Sequence, residues 1–237
     1  MTQIKGFKNS WILTEKGKVK TNLLIENGKI ARIGDFECDG LIELPEDQII
    51  IPGFIDQHIH GAAGSDAMDG TIEDLSKIAS ALAKEWTTAF LATTMTQSPE
   101  NIDKALTAVK EYIESCPESG AEILGVHLEG PFISKDFIGA QPLEYVAAPC
   151  VEVFKHYEEV SGNNIKLVSM AVEVEGAESL VSYLASKGIV ASIGHSNAKY
   201  ADVEKAIKAG ASNVTHTYNA QKPIHHREVG TVGAAML

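Results

Sequence analysis

Five side chains of metal-binding type recur where the sequence suggests that strands end. His58 and His60 form a His-Ile-His triplet. Side chains at i and i+2 of an extended segment point the same way, so both imidazoles can converge on one ion. Glu129 closes the apolar run Ile123–Leu128 and precedes Gly130-Pro131. His195 stands in Gly194-His195-Ser196, and His216 in Thr215-His216-Thr217-Tyr218-Asn219. Histidines with a carboxylate make a borderline-soft donor set, suited to Zn²⁺, Fe²⁺, Co²⁺ or Mn²⁺. Each piece alone has an ordinary reading: His-x-His arises by chance on surfaces, and Glu-Gly-Pro makes a turn. Together, at successive strand ends, they point to a metal. His127 reads as support behind the ligands rather than as a ligand, and His156, in a polar helical stretch beside Tyr157, reads as solvated surface.

The elements that must position these residues fall into two regions. In residues 1–50 the runs Ser10–Leu13, Val19–Ile25, Lys29–Ile33 and Leu41–Leu44 are short and strand-like. Asn27-Gly28 between two of them signals a hairpin, because a type I′ turn needs positive φ at both central residues. This region reads as a small antiparallel β-sheet domain. Residues 51–237 alternate strand and helix. Ile49-Ile50-Ile51 leads into Phe54-Ile55-Asp56 as a buried strand, and Thr87–Thr94, Ile123–Leu128, Lys166–Val172, Ile189–Ile193 and Asn213–Thr217 follow. Between them, Ile72, Leu75, Ile78, Ala79, Leu82 and Trp86 recur at helical spacing, with Thr71 and Asp74 placed for a capping box. Ser98-Pro99 opens a second helix, the proline at the first position where its missing N–H is not needed. Gly188 and Gly210 end later helices. The fold class is therefore α/β, with a parallel sheet and right-handed crossovers. The runs are apolar throughout, as expected where helices cover both faces.

Composition narrows the functions. A net charge of −12 over 237 residues argues against a nucleic-acid or anionic membrane surface, since both reward clustered Lys and Arg. The N-terminus has no apolar core of a secretory signal, and no stretch approaches the roughly 20 apolar residues of a membrane span. Cys38, Cys116 and Cys150 are odd in number and lack zinc-type spacing, so they read as reduced thiols. The expected location is the cytoplasm.

The motifs also carry a family resemblance. Pro52-Gly53-Phe54-Ile55-Asp56-Gln57-His58-Ile59-His60-Gly61 resembles the metal-ligand opening of the amidohydrolase superfamily. Gly125-Val126-His127-Leu128-Glu129-Gly130-Pro131-Phe132-Ile133, Gly194-His195-Ser196-Asn197-Ala198, His216-Thr217-Tyr218-Asn219-Ala220 and His226-Arg227-Glu228-Val229-Gly230 together resemble its N-acetylglucosamine-6-phosphate deacetylases. The resemblance implies a TIM-type (β/α) barrel, of which about six of eight strand–helix units lie in this sequence. It implies Glu129, His195 and His216 as primary metal ligands, with His58 and His60 adding a second ion. It further implies that the backbone at Ala140, the amides of Asn219-Ala220 and the Arg227 guanidinium bind a phosphorylated amino sugar, helped by His225 and His226. Arginine suits that role, since its planar fork matches phosphate. The implied reaction is hydrolysis of the acetamide of N-acetylglucosamine 6-phosphate to glucosamine 6-phosphate and acetate, in a homodimer. A dihydroorotase- or deaminase-like amidohydrolase, or an inactive metal- and sugar-phosphate-binding remnant, are the competing readings. Gln141, Gln221 and Val229 depart from the family's usual histidine, methionine and proline. The family's catalytic aspartate falls beyond Leu237, so the segment up to that residue is expected to hold metal and phosphate sites without the proton shuttle.

Overall fold

The computed structural model describes residues 5–115, 117 and 119–237; Cys116 lies outside the described residues. The chain divides into two compact units at Gly53/Phe54. In the first, β1 (Gly6–Thr14), β2 (Gly17–Glu26) and β3 (Lys29–Gly34) form an antiparallel meander. β4 (Ile42–Glu43) and β5 (Ile49–Ile50) pair with β1 in parallel. Asn27 and Gly28 take φ of 52° and 73°, the conformation that the tight turn between β2 and β3 demands. Ile49-Ile50, expected to open the next region, instead adds to this sheet through Trp11 and Ile12. An isoleucine run suits any strand, and pairing alone decides which sheet takes it.

The second unit begins with β6 (Phe54–Ile59), the short hairpin β7 (Gly61–Ala62) and β8 (Ser65–Asp66), and α1 (Ile72–Lys84). β9 (Thr87–Thr93), α2 (Pro99–Glu114), β10 (Glu122–Glu129), α3 (Val151–Val160), β11 (Ile165–Met170) and α4 (Ala177–Ser186) follow. β12 (Val190–Ile193), α5 (Tyr200–Ala209), β13 (Asn213–Val214) and α6 (Gly230–Ala234) complete it. The six long-range strands pair in parallel in the order β6-β9-β10-β11-β12-β13. Each lies beside its predecessor, with no reversal of strand order. That order gives the curled arc of a (β/α) barrel, with all six carboxyl ends on one rim.

Helix starts follow local chemistry. Thr71 Oγ1 accepts the Asp74 N–H at 3.1 Å, and Ser98 caps α2 through Asn101 N–H, with Pro99 in the first turn. The reciprocal half of the box expected at Thr71 is replaced by a hydroxyl–carboxylate bond to Asp74; the full box forms one turn earlier, between Asp66 and Asp69. Gly210 closes α5 at φ 118°, and Gly188 follows α4 at φ 71°. Leu75, Ile78, Ile102, Leu106, Val109 and Tyr112 bury one face of α1 and α2 against Phe90, Val126 and Leu128 of the sheet. Alternation then turns His127 and Glu129 to the opposite, concave side of β10.

One expectation is corrected. Phe54 and Ile55 are 57% and 60% exposed rather than buried. Among the described residues β6 ends the six-strand path and pairs with β9 alone, which leaves its other side uncovered in this segment. No helix among the described residues is long and apolar enough to cross a membrane. Because Ile102 is fully buried in the helix–sheet layer, Ile102→Ala should cost about 2–5 kcal/mol of stability, read as a lowered denaturant midpoint with an unchanged slope.

Candidate metal centre

The rim gathers all five expected ligands. His58 lies in β6 and His60 just beyond it, Glu129 is the last residue of β10, and His195 and His216 lie two residues past β12 and β13. Parallel strands in sequence order place these ends side by side, which sequence-distant residues need in order to meet. Two backbone turns aim the later histidines: His195 and His216 take φ of 49° and 30°. Non-glycine residues in this left-handed region are strained by about 1–3 kcal/mol, and they persist where their surroundings over-determine them.

Glu129, 1% exposed, sits at the centre. Its Oε1 lies 3.1 Å from His195 Nε2 and 3.0 Å from His216 Nε2, and those two nitrogens are 3.2 Å apart. Its Oε2 lies 3.1 Å from His60 Nε2 and 3.9 Å from His58 Nε2. The carboxylate thus faces one imidazole pair with each oxygen. Two metal-competent groups share it, His58–His60–Glu129 and Glu129–His195–His216.

Backbone carbonyls settle which nitrogens point inward. His60 Nδ1 donates to Thr93 O at 3.2 Å, His195 Nδ1 to Phe137 O at 2.9 Å, and His216 Nδ1 to Asn219 O at 2.9 Å. A carbonyl can only accept, so Nδ1 carries a proton and Nε2 faces Glu129, donating to it when that nitrogen is protonated and offering a lone pair to an ion once that proton is displaced. Donors about 2.1 Å from a tetrahedral zinc lie roughly 3.3 Å from each other, close to the separations in the Glu129–His195–His216 triad. The donor chemistry and spacing fit a divalent ion.

Electrostatics agree. Burial alone would raise the Glu129 pKa, but hydrogen bonds from His195, His216 and His60 outweigh it and hold the carboxyl well below the usual range. Burial lowers His60, yet Glu129 and Thr93 bring it to a net rise, and the bond to Glu129 raises His216. His58 is lowered, chiefly by burial.

His127 stands behind the ligands. Its ring meets that of His58 edge-on at 4.9 Å. Burial pushes its pKa down to about 3, so it is neutral. Nδ1 donates to Gln57 O at 3.0 Å, which leaves Nε2 to accept the Ser169 hydroxyl at 2.6 Å. The line continues through Thr215 Oγ1 to Ser192 Oγ, an ordered polar layer beneath the rim.

The expected substrate contacts are brought together in part. A Cβ on Gly139 would lie 3.3 Å from the His195 ring and 3.4 Å from the Ala220 methyl, so the loop ending at Ala140 adjoins the metal ligands and Ala220. Asn219 contributes its carbonyl to His216. Arg227 is exposed on the following loop and has no ion pair among the described residues; its N–H donates to His225 Nδ1 at 3.2 Å, and His225 stacks on His226 at 4.1 Å. Gln141 is buried and accepts Thr96 N–H from the loop after β9, while Gln221 is buried and donates to Thr215 O within its own loop. His156 pairs with Asp103 at the surface. Sequence reasoning missed Glu173, which accepts bonds from the turn just after His195; a lone glutamate in Val172-Glu173-Val174-Glu175 carries no signal of that.

A six-strand parallel arc with a carboxylate–histidine cluster on its C-terminal rim is the build of a metal-dependent hydrolase, and the amidohydrolase family model matches residues 49–237. The chain belongs to the amidohydrolase family, whose members are metal-dependent. It is 42% identical over 237 residues to N-acetylglucosamine-6-phosphate deacetylase of Bacillus subtilis (strain 168), covering 97% of this chain and 60% of that protein. The crystal structure of N-acetylglucosamine-6-phosphate deacetylase from Thermotoga maritima superposes with a TM-score of 0.85 at 34% identity, covering 98% of this chain and 60% of that one. A mutant of the Mycobacterium smegmatis enzyme in complex with N-acetyl-D-glucosamine-6-phosphate matches at TM-score 0.82 and 26% identity, covering 95% and 58%. The chain therefore spans about 60% of the length of these relatives.

Since Glu129 belongs to both groups, Glu129→Gln should abolish tight binding of every ion, whereas His58→Ala should remove one ion and leave the other, as counted by elemental analysis of dialysed protein. In the metal-free protein, His60 and His216 hold protons above the ordinary value of 6.5. The stability they contribute is present at acidic pH and lost as pH rises through those raised values; that of Glu129 runs the other way, lost as pH falls. Ion binding must displace the imidazole protons, so Zn²⁺ affinity should climb between about pH 6 and 8 with proton release visible in calorimetry. An affinity flat across that range would contradict the assignment.

Proposed function

We propose that the protein acts in amino-sugar breakdown, hydrolysing the acetamide of N-acetylglucosamine 6-phosphate to glucosamine 6-phosphate and acetate. The observation that carries this reading is the single carboxylate facing two imidazole pairs on the strand-end rim, in a chain with deacetylase relatives along nearly all its length. In this reading Glu129, His195 and His216 hold the first ion and His58 and His60, with the far oxygen of Glu129, a second. Zn²⁺, Fe²⁺, Co²⁺ and Mn²⁺ all suit these donors. An ion held by these residues would supply Lewis acidity for the amide carbonyl and would lower the pKa of water toward neutral.

The remaining steps fall to the chain. The backbone at Ala140 and the amides of Asn219 and Ala220 orient the sugar beside His195 and His216. Arg227, exposed and free of carboxylate partners among the described residues, takes the phosphate through paired N–H donors. His225 and His226 add donors beside it on an otherwise acidic protein. His127 keeps the His58 ring in place. Glu129 is bound up as a ligand anion, so the proton that moves from water to the leaving amine is carried by a different carboxylate. The resemblance assigns that role to an aspartate at the end of the last barrel strand. A cytoplasmic homodimer suits the reading.

Protein expressed from its complete reading frame should release acetate from N-acetylglucosamine 6-phosphate and lose this activity on chelation. Arg227→Ala should raise KM about 10- to 100-fold with little change in kcat, as expected when a charged hydrogen bond made equally in ground and transition states is lost. Hydrolysis of dihydroorotate or deamination of a purine in place of acetate release would overturn the assignment, and ion and sugar-phosphate binding without turnover would favour a binding protein.

A further inference from the structure

We propose that Glu173 is a positioning residue for the metal ligand His195, acting through the turn that follows it. The inference rests on the metal reading of the Glu129–His195–His216 triad. Glu173 lies past the end of β11 and reaches across to the loop after β12. One carboxylate oxygen accepts the Ser196 hydroxyl at 2.6 Å and the other accepts the Asn197 N–H at 2.6 Å. Both are short, charge-assisted bonds, the stronger kind. They grip the two residues that immediately follow His195, whose backbone is left-handed with φ 49°.

That conformation needs an external hold. Upstream, the His195 carbonyl is held by Ser134 N–H at 2.8 Å. Downstream, Ser196 is wholly buried, and its hydroxyl also accepts Ala198 N–H at 3.1 Å, so the hydroxyl is fully committed only while Glu173 receives its proton. The Asn197 side chain then extends the hold sideways. Its Nδ2 donates to Asp136 at 2.9 Å and its Oδ1 accepts from Lys222 at 2.9 Å. Asp136 sits beside Phe137, whose carbonyl fixes the His195 tautomer, and Lys222 follows the Asn219-Ala220 segment whose carbonyls receive His216 and Ser196. Glu173 is thus the anion at the root of a network that locks the loops after β10, β12 and β13 around one imidazole. Without it, Ser196 and Asn197 keep two donors with no acceptor, and the turn is free to relax out of the left-handed region. Among the described residues the His58–His60 half of the centre meets this network through Glu129, the partner of His195, and has no bond to Glu173, Ser196 or Asn197.

The asymmetry gives the test. In a His58→Ala/His60→Ala background only the Glu129–His195–His216 triad remains, and Glu173→Ala there should weaken Zn²⁺ binding 10- to 100-fold, the usual effect of losing a partner behind a metal ligand. In a His195→Ala background, which leaves the His58–His60–Glu129 group, the same substitution should change affinity less than about twofold, as for an uncoupled site. Glu173→Gln keeps an acceptor for Asn197 N–H and a donor for Ser196 Oγ, and should restore most of the affinity. Ser196→Ala, which removes one of the two bonds, should fall between. Equal losses in both backgrounds would mark a general structural role and overturn the proposal, as would no loss in the first. If Glu173→Ala does not fold, the Gln and Ser196→Ala variants give the same ordering, and reversal of that ordering overturns it. Failure of the triad to bind Zn²⁺ with Glu173 intact would instead sink the metal reading beneath it.

Discussion

Burying a carboxylate is costly unless charge or hydrogen bonds compensate it, and Glu129 is buried almost completely at the rim of the parallel arc. Three Nε2 atoms within 3.1 Å keep it anionic. Much of the surrounding structure supplies and aims those partners. His195 and His216 leave the ordinary backbone regions to reach it, and carbonyls of Thr93, Phe137 and Asn219 hold Nδ1 so that Nε2 faces inward. The same features that make the anion tolerable make a donor set for a divalent ion. Stability and metal affinity therefore draw on one arrangement.

The sheet makes this arrangement possible through order and alternation. Each strand lies beside its predecessor, so the chain returns to one rim at every unit, and ligands 58 to 216 in the sequence become neighbours. Along β10, Val126 and Leu128 face the helices while His127 and Glu129 face the concave side. Glu129 pairs in register with Ser169, and Ser169 with Ser192. The register places a layer of hydroxyls under the ligands, which satisfies the buried His127 without offering the ion a competing charge.

The rim loops hold the ligands by polar contacts rather than apolar packing. Gln141 bonds to Thr96 N–H on the loop after β9, and Gln221 to Thr215 O in its own loop and Ile193 O of β12. Glu173 and Asn197 do the same around His195. Such loops keep their shape only as a set, because each of these residues bonds to another segment.

Much of the site was legible in the sequence. Apolar runs alternating with helical periodicity imply a parallel sheet, and the five side chains that meet on the rim could be picked out because their residue types are rare together and each falls where a run ends. Asn27-Gly28 revealed its turn because few residues accept positive φ. What the sequence left open depends on contacts between distant segments. Ile49-Ile50 reads as the start of the barrel, yet pairing with β1 assigns it to the small sheet. Phe54 and Ile55 read as buried, yet more than half of each is exposed in this segment. That each Glu129 oxygen faces a separate imidazole pair, and that Glu173 anchors the turn after His195, follow from distances across the rim. Residue type and spacing along the chain determine which groups are available and which local turns they favour. Only the tertiary structure decides which of them meet, because strand order and register bring together residues whose separation in sequence carries no information about it.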